Sequence, residues 1–313
     1  MRTTTWKPAR NSTSRPARIG VLSLAVTSLA VATAAAISVA PASAAPLWPG
    51  GPDVPGAPAV VQAPQPAPGA APMKNPPPLP QANFAPPSVS PSDGDVVGVA
   101  QPIIINFKEP VTDHDAAEKA IRITSSNATN GHFYWRGDKQ VRWRPEELWP
   151  ANSDITVEAG GTKVAYKIGD EIKSVADDAT HTVTVTRNGE VIKTMPTSMG
   201  KAKHETPNGT YYVGEKNRKM IMDSSTYGVP TTDPEGYKLE VEWATRLSNS
   251  GIFVHSAPWS VAQQGVSDTS HGCLNVSPAD AQWFFENSQK GDPVIVQNST
   301  GTFSTSDGMG DWN

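Results

Sequence analysis

From about residue 88 onward the chain is written in short apolar runs that alternate with polar positions, a period of two that argues for strands rather than helices. The runs at 103–107, 121–124, 132–135, 140–143, 155–157 and 164–166 are rich in β-branched and aromatic residues, and turn residues such as Gly137 and Asp138 break them. Together they predict a β-sandwich over 88–168. A second set begins at 182–186, turns at Asn188-Gly189 and returns through 191–194; Asn-Gly between alternating runs is the strongest short hairpin signal. Further strands are expected at 210–213 and at 252–254, the latter ending directly at His255. One helix is well marked: Ser277 can cap it, Pro278 suits its first turn, and Ala281, Trp283, Phe284 and Phe285 supply apolar surface. The fold class is therefore mainly β, an N-terminal sandwich followed by a second β domain over 169–299 with one short helix, and 300–313 as a C-terminal tail.

Upstream the pattern stops. Residues 45–87 hold a proline-rich stretch, with fifteen of the chain's thirty prolines between 45 and 88. Such a composition buries too little apolar surface to fold. It reads as a semi-rigid, disordered stalk that reaches roughly 130 Å in polyproline II geometry. Before it, Arg2, Lys7, Arg10, Arg15 and Arg18 form a basic leader, followed by an alanine-rich run at 19–40 and by Ala42-Ser43-Ala44. That is the pattern of a signal peptide with its cleavage site, so 1–44 is expected to direct export. The apolar run is also long enough for an uncleaved anchor, the only membrane contact expected. Removing the leader takes away five positive charges and no negative one, which moves the formal net charge from −4 to −9. Nucleic acid is an unsuitable partner for such a chain.

Only one cysteine, Cys273, occurs in 313 residues, inside Ser270-His271-Gly272-Cys273-Leu274-Asn275. A lone thiol in an exported protein is either an intermolecular link or a reactive group. Histidines at 255 and 271 favour reactivity, since an imidazole can take the thiol proton and leave the nucleophilic thiolate. An inert buried cysteine is the alternative. The helix that follows can brace the segment rigidly. Metal is not suggested, because the six histidines form no short His-x-x-x-His pair and there is no Cys-x-x-Cys. Trp135 and Trp143 could stack on sugar, but paired aromatics across a hairpin more often fill a core.

At these residues the chain resembles a known family. His255, fourteen intervening residues and then Ser270-His271-Gly272-Cys273-Leu274-Asn275 is similar to the signature of L,D-transpeptidases, the cysteine enzymes that cross-link bacterial peptidoglycan. The likeness runs over about 170–300 and includes 222–230 and 255–260, which resemble the mycobacterial and related actinobacterial branch. It implies an immunoglobulin-like sandwich before a β-sandwich-type catalytic domain, in a protein of the periplasm or cell wall. By the same resemblance Cys273 would be the nucleophile and His255 the general base, its ring held by the Ser256 carbonyl. His271 would position the segment, and the Gly272 and Cys273 N–H groups would face the oxyanion. Met222 to Tyr237 resembles the substrate flap, with Tyr227 and Tyr237 toward substrate. Ser250, Gly251 and Asn275 match substrate-contacting positions, Trp259 and Ser270 join the candidate set, and Asn275 and Ser270 read equally as structural turn residues. The partners implied are peptidoglycan stem peptides and, as covalent inhibitors, carbapenem β-lactams; no cofactor is implied. Residues 307–313 resemble the start of the family's packed tail but stop early, which leaves the tail's packing open. A hydrolase on the same scaffold and a non-catalytic wall-binding protein are the alternative functions.

Overall fold

The structure, a computed structural model, describes residues 45–46, 53–54, 76–304, 307 and 309–313. The expected leader and most of the stalk lie outside the described residues. Within 1–75, β1 (Ala45–Pro46) pairs antiparallel with β2 (Asp53–Val54).

Nine elements build the first folded domain: β3 (Ser88–Ser90), β4 (Val96–Val97), β5 (Ile103–Asn106), α1 (His114–Lys119), β6 (Ile121–Ser125), β7 (Gly131–Trp135), β8 (Gln140–Pro145), β9 (Asp154–Ala159) and β10 (Thr162–Ile168). They form two four-stranded sheets, β3-β5-β8-β7 and β4-β10-β9-β6. Alternation decides which side chains meet: Ile103, Ile105, Val141 and Trp143 from one sheet face Ile155, Val157, Tyr166 and Ile168 from the other. Trp135 packs on this core with its ring stacked on Phe107, so the aromatic pair is packing and not a sugar platform. The helix α1 escaped the sequence reading; Asp113 caps it by accepting the Ala116 N–H at 3.0 Å. The proline-rich reading also ran too far. Phe84 sits edge-on against Phe107 and Thr162 donates to the Pro87 carbonyl, because one aromatic and a few free carbonyls suffice to lay 76–87 on the sandwich.

The second domain contains β11 (Ile172–Asp177), β12 (Thr182–Arg187), β13 (Glu190–Pro196), β14 (Gly209–Tyr212), β15 (Lys216–Asp223), β16 (Lys238–Arg246), β17 (Phe253–Ser256), β18 (Leu274–Val276), α2 (Pro278–Asn287) and β19 (Pro293–Gln297). Its sheets are β13-β12-β11-β19-β14 and β15-β16-β17-β18. The expected hairpin turns with Asn188 and Gly189 at φ 50° and 88°, the left-handed region that a two-residue hairpin turn needs. Met195, Met199, Tyr211, Leu247, Val254, Leu274 and Phe284 form the shared core. Ser277 caps α2 by accepting the Asp280 N–H at 3.1 Å, and α2 lies against β16 and β17. Strand β17 does not stop before His255 as expected but runs through it to Ser256.

The domains meet where the 97–101 segment crosses Gly291 and Asp292. Gly98 N–H donates to Lys290 O and Ala100 N–H to Gly291 O, both at 2.8 Å. A Cβ at Gly98 would sit 2.3 Å from the Asp292 nitrogen, so only glycine permits this approach. The tail, whose packing the sequence left open, closes the joint. Asp311, with a side chain of 0% exposure, takes two bonds from Arg142 Nη1 at 2.8 and 2.9 Å, one from Tyr212 at 2.7 Å and one from Tyr134. Trp312 Nε1–H donates to Ala100 O at 2.7 Å. Arg142 and Tyr134 belong to the first domain and Tyr212 to the second, so one carboxylate is shared across the joint. Asp311→Ala strands a buried guanidinium, and a cost of about 3–5 kcal/mol is expected. Thermal unfolding should register it as a fall in Tm of about 2–4 °C per kcal/mol, with Asp311→Asn, which keeps the volume and one acceptor, falling between it and the wild type.

Candidate active site

The parallel pairing of β17 with β18 sets His255 opposite Asn275 and Val254 opposite Leu274. Cys273 is the residue just before β18, so the ladder brings its segment beside the histidine. Met222, Tyr237, Leu239, His255, Trp259, Thr269, Ser270, His271, Cys273 and Asn275 line one pocket of about 160 Å³. Eight of the thirteen candidate residues are thus gathered around one hollow.

His255 is buried, and its Nδ1 lies 2.9 Å from the Ser256 carbonyl. A carbonyl can only accept, so Nδ1 carries the proton and Nε2 keeps its lone pair as the basic site. Burial pushes the His255 pKa down to about 4, an effect the Ser256 contact opposes. The same burial pushes the Cys273 thiol up to about 11, with the Phe253 backbone and Arg246 acting against it. Near neutral pH the pair is a thiol and an imidazole, both uncharged. The thiol donates to Gly251 O at 3.6 Å, a long contact of the kind sulfur makes. Gly251 holds φ at 99°, which lets its carbonyl reach in. Ser250 is not among the lining side chains; its N–H and that of Asn249 bind the carboxylate of Asp307 at 2.7 and 2.8 Å.

The Ser270–Cys273 turn is held from within. Ser270 Oγ accepts the Gly272 N–H at 3.0 Å and donates to Cys273 O at 2.6 Å, while Gly272 O accepts from Thr206 at 2.9 Å. Ser270 is therefore the turn's brace, and its hydroxyl occupies the Gly272 N–H that the resemblance assigns to the oxyanion. Gly272 has φ 113°, so a side chain there would be strained. Asn275 lines the pocket while its backbone pairs with Ser198 at 3.0 Å in each direction.

Met222 was read as part of an irregular flap; it lies instead on β15, buried against Val241, Phe253 and Cys273. The rest of the expected flap, Ser224 to Tyr237, opens with a one-turn helix (Ser224–Tyr227) that Asp223 caps. Glu235 anchors the flap, accepting from Lys201 and lying 3.0 Å from His271 Nε2. These contacts hold Glu235 down at about 2. His271 is thereby fixed to the flap, with the Tyr237 ring 5.1 Å away. Trp259 is 56% exposed on the rim, its ring 6.0 Å from that of His255. Sequence reasoning missed Lys201, Glu235, Leu239, Thr269 and Asp307 as neighbours of the site; only the Pro-Glu-Gly breaker around Glu235 gave any signal.

Residues 172–296 match the L,D-transpeptidase catalytic domain and 79–164 a bacterial Ig domain. L,D-transpeptidase 2 of Mycobacterium tuberculosis is 50% identical over 247 residues, which are 74% of this chain but 60% of that protein. L,D-transpeptidase 1 of the same organism is 45% identical over 209 residues, 67% of this chain and 83% of that one. Among solved structures, that transpeptidase in complex with imipenem superposes with a TM-score of 0.65 at 45% identity, over 67% of this chain and 97% of the other. An L,D-transpeptidase from Mycobacterium smegmatis gives 0.63 at 47% identity, over 68% and 100%. With a cysteine and a histidine brought to line one pocket by the pairing of β17 with β18, and with relatives matched across both domains, the chain belongs to the L,D-transpeptidase family.

Proposed function

We propose that the protein forms 3→3 cross-links between peptidoglycan stems through a thioester on Cys273. The observation that carries this reading is the placement of a buried thiol and a buried imidazole in one pocket, with Nε2 as the basic atom of the His255 ring once Nδ1 is engaged by Ser256 O. In the first half, the Cys273 sulfur attacks the carbonyl of the third stem residue, its proton passes to His255 Nε2, and that proton leaves with the amine of the terminal D-alanine. In the second half, a diaminopimelate side-chain amine of another stem attacks the thioester, His255 takes its proton, and the thiol is restored. The Cys273 N–H is the remaining backbone candidate for the oxyanion, a donor of a kind worth about 2.7–4 kcal/mol when well aimed. Flap residues Tyr227 and Tyr237, with Trp259 on the rim, are proposed to guide the two stems. Imipenem bound to the 45%-identical relative supports the further reading that carbapenems acylate Cys273 here. An exported, cell-wall location fits this substrate; among the described residues no helix is long and apolar enough to cross a membrane.

Incubation with a tetrapeptide stem, with and without a second stem as acceptor, tests the proposal by mass spectrometry. D-Alanine loss is expected in both cases and a cross-linked dimer in the second; tripeptide alone would make the protein a carboxypeptidase. Cys273→Ala should abolish turnover, and His255→Ala should slow it by about 10²–10⁴. Intact mass after carbapenem treatment should rise by one drug molecule in the wild type and by none in Cys273→Ala.

The resting protonation has its own signature. With the folded thiol near 11 instead of 9, the thiolate fraction grows about tenfold per pH unit across the neutral and mildly alkaline range. Alkylation of Cys273 by iodoacetamide should therefore be slow at pH 7 and climb steadily to about pH 10. A rate already level below pH 7 would reveal a preformed thiolate–imidazolium pair and refute this account.

A further inference from the structure

Outside the pocket, the turn between β11 and β12 and the loop just before the Ser270–Cys273 turn bring Asp178, His181 and Asp268 together. One ligand-type atom from each lies within 4.8 Å of the others. Asp268 is already aimed, because its Oδ1 accepts the Met199 N–H at 2.7 Å and stands 3.3 Å from His181 Nδ1. Asp178 Oδ1 is buried without a hydrogen-bond partner, and His181 Nδ1, though 3.3 Å from Asp268 Oδ1, makes no aligned hydrogen bond there. His181 is also held at φ 48°, a left-handed conformation uncommon for a residue with a side chain. Asp178 and Asp268 set two carboxylates close together, with His181 as the third donor. A cavity of about 400 Å³ opens beside the cluster, with Lys201 and Glu205 on its wall, and leaves room for water.

We propose that Asp178, His181 and Asp268 form a divalent-cation site, with three protein ligands and water completing the coordination. One imidazole and two carboxylates are donors suited to Zn²⁺ or Mn²⁺. The cation would supply the charge that both carboxylates face and a partner for each orphaned atom. It would also tie the β11–β12 turn to the catalytic segment, since Thr269 and Ser270, directly after Asp268, bind Met199 O at 3.1 and 2.9 Å. A second grouping, His204, Glu235 and His271, belongs to the flap anchor, where Lys201 already neutralises the carboxylate.

The test uses the Cys273→Ala protein, so that thiolate cannot bind metal, stripped with EDTA and titrated with Zn²⁺ by calorimetry while thermal unfolding is followed. One Zn²⁺ per chain and a raised Tm are expected. His181→Ala and Asp268→Asn should each weaken binding at least about tenfold, and Glu235→Gln should leave it unchanged. No saturable uptake, uptake indifferent to both ligand substitutions, or uptake lost in Glu235→Gln would overturn the proposal. Should Asp268→Asn fail to fold, His181→Ala decides, its side chain being 23% exposed and outside the cores.

Discussion

Three consecutive parallel pairs, Val254 with Leu274, His255 with Asn275 and Ser256 with Val276, are the constraint on which the site depends. Antiparallel neighbours can be joined by two residues, but parallel ones need a crossover of about a dozen or more. Residues 257–273 are that crossover. The sequence distance from the histidine to the cysteine is thus set by strand direction, and the nucleophile is delivered at the last step before the chain re-enters the sheet. Ser198 pairs with Asn275 from the other side, so β18 is held on both flanks.

Burial then sets the chemistry of the two side chains in opposite directions for one reason. Each loses its charged form when taken from water, so the imidazole becomes a weaker base and the thiol a weaker acid. The ground state carries no separated charge near neutral pH, and charge develops only as the sulfur bonds to a substrate. Interactions that meet that developing charge lower the barrier without stabilising the resting enzyme. A backbone carbonyl on His255 and another on the thiol keep both groups oriented while they wait.

The sandwich strands, the Asn188-Gly189 hairpin and the Ser277-capped helix were legible because each rests on a local signal: period, turn chemistry or cap. His255 and Cys273 were legible because chemistry restricts which residues can serve. The long β15–β16 ribbon was not, since Arg218, Lys219, Glu240 and Glu242 face solvent or pair across it and leave little apolar rhythm. The Ser270 hydroxyl on the Gly272 N–H was not legible, because a glycine beside a nucleophile suggests an open donor. Asp311 and Asp307 were invisible in their roles: their partners lie up to 177 residues away, and nothing in a short tail announces them.

Asp307 holds the loop whose Gly251 carbonyl accepts the thiol's hydrogen bond, and Asp311 closes the joint between the domains. Synthesis runs from the N-terminus, so both contacts form after every other part of the site has left the ribosome. A nascent chain stopped short of residue 307 would contain the nucleophile, the base and the flap, yet hold its cysteine loop without that brace. The order of translation thus gives Asp307 a timing role: the cysteine loop gains its brace only after the nucleophile, the base and the flap segment have been made.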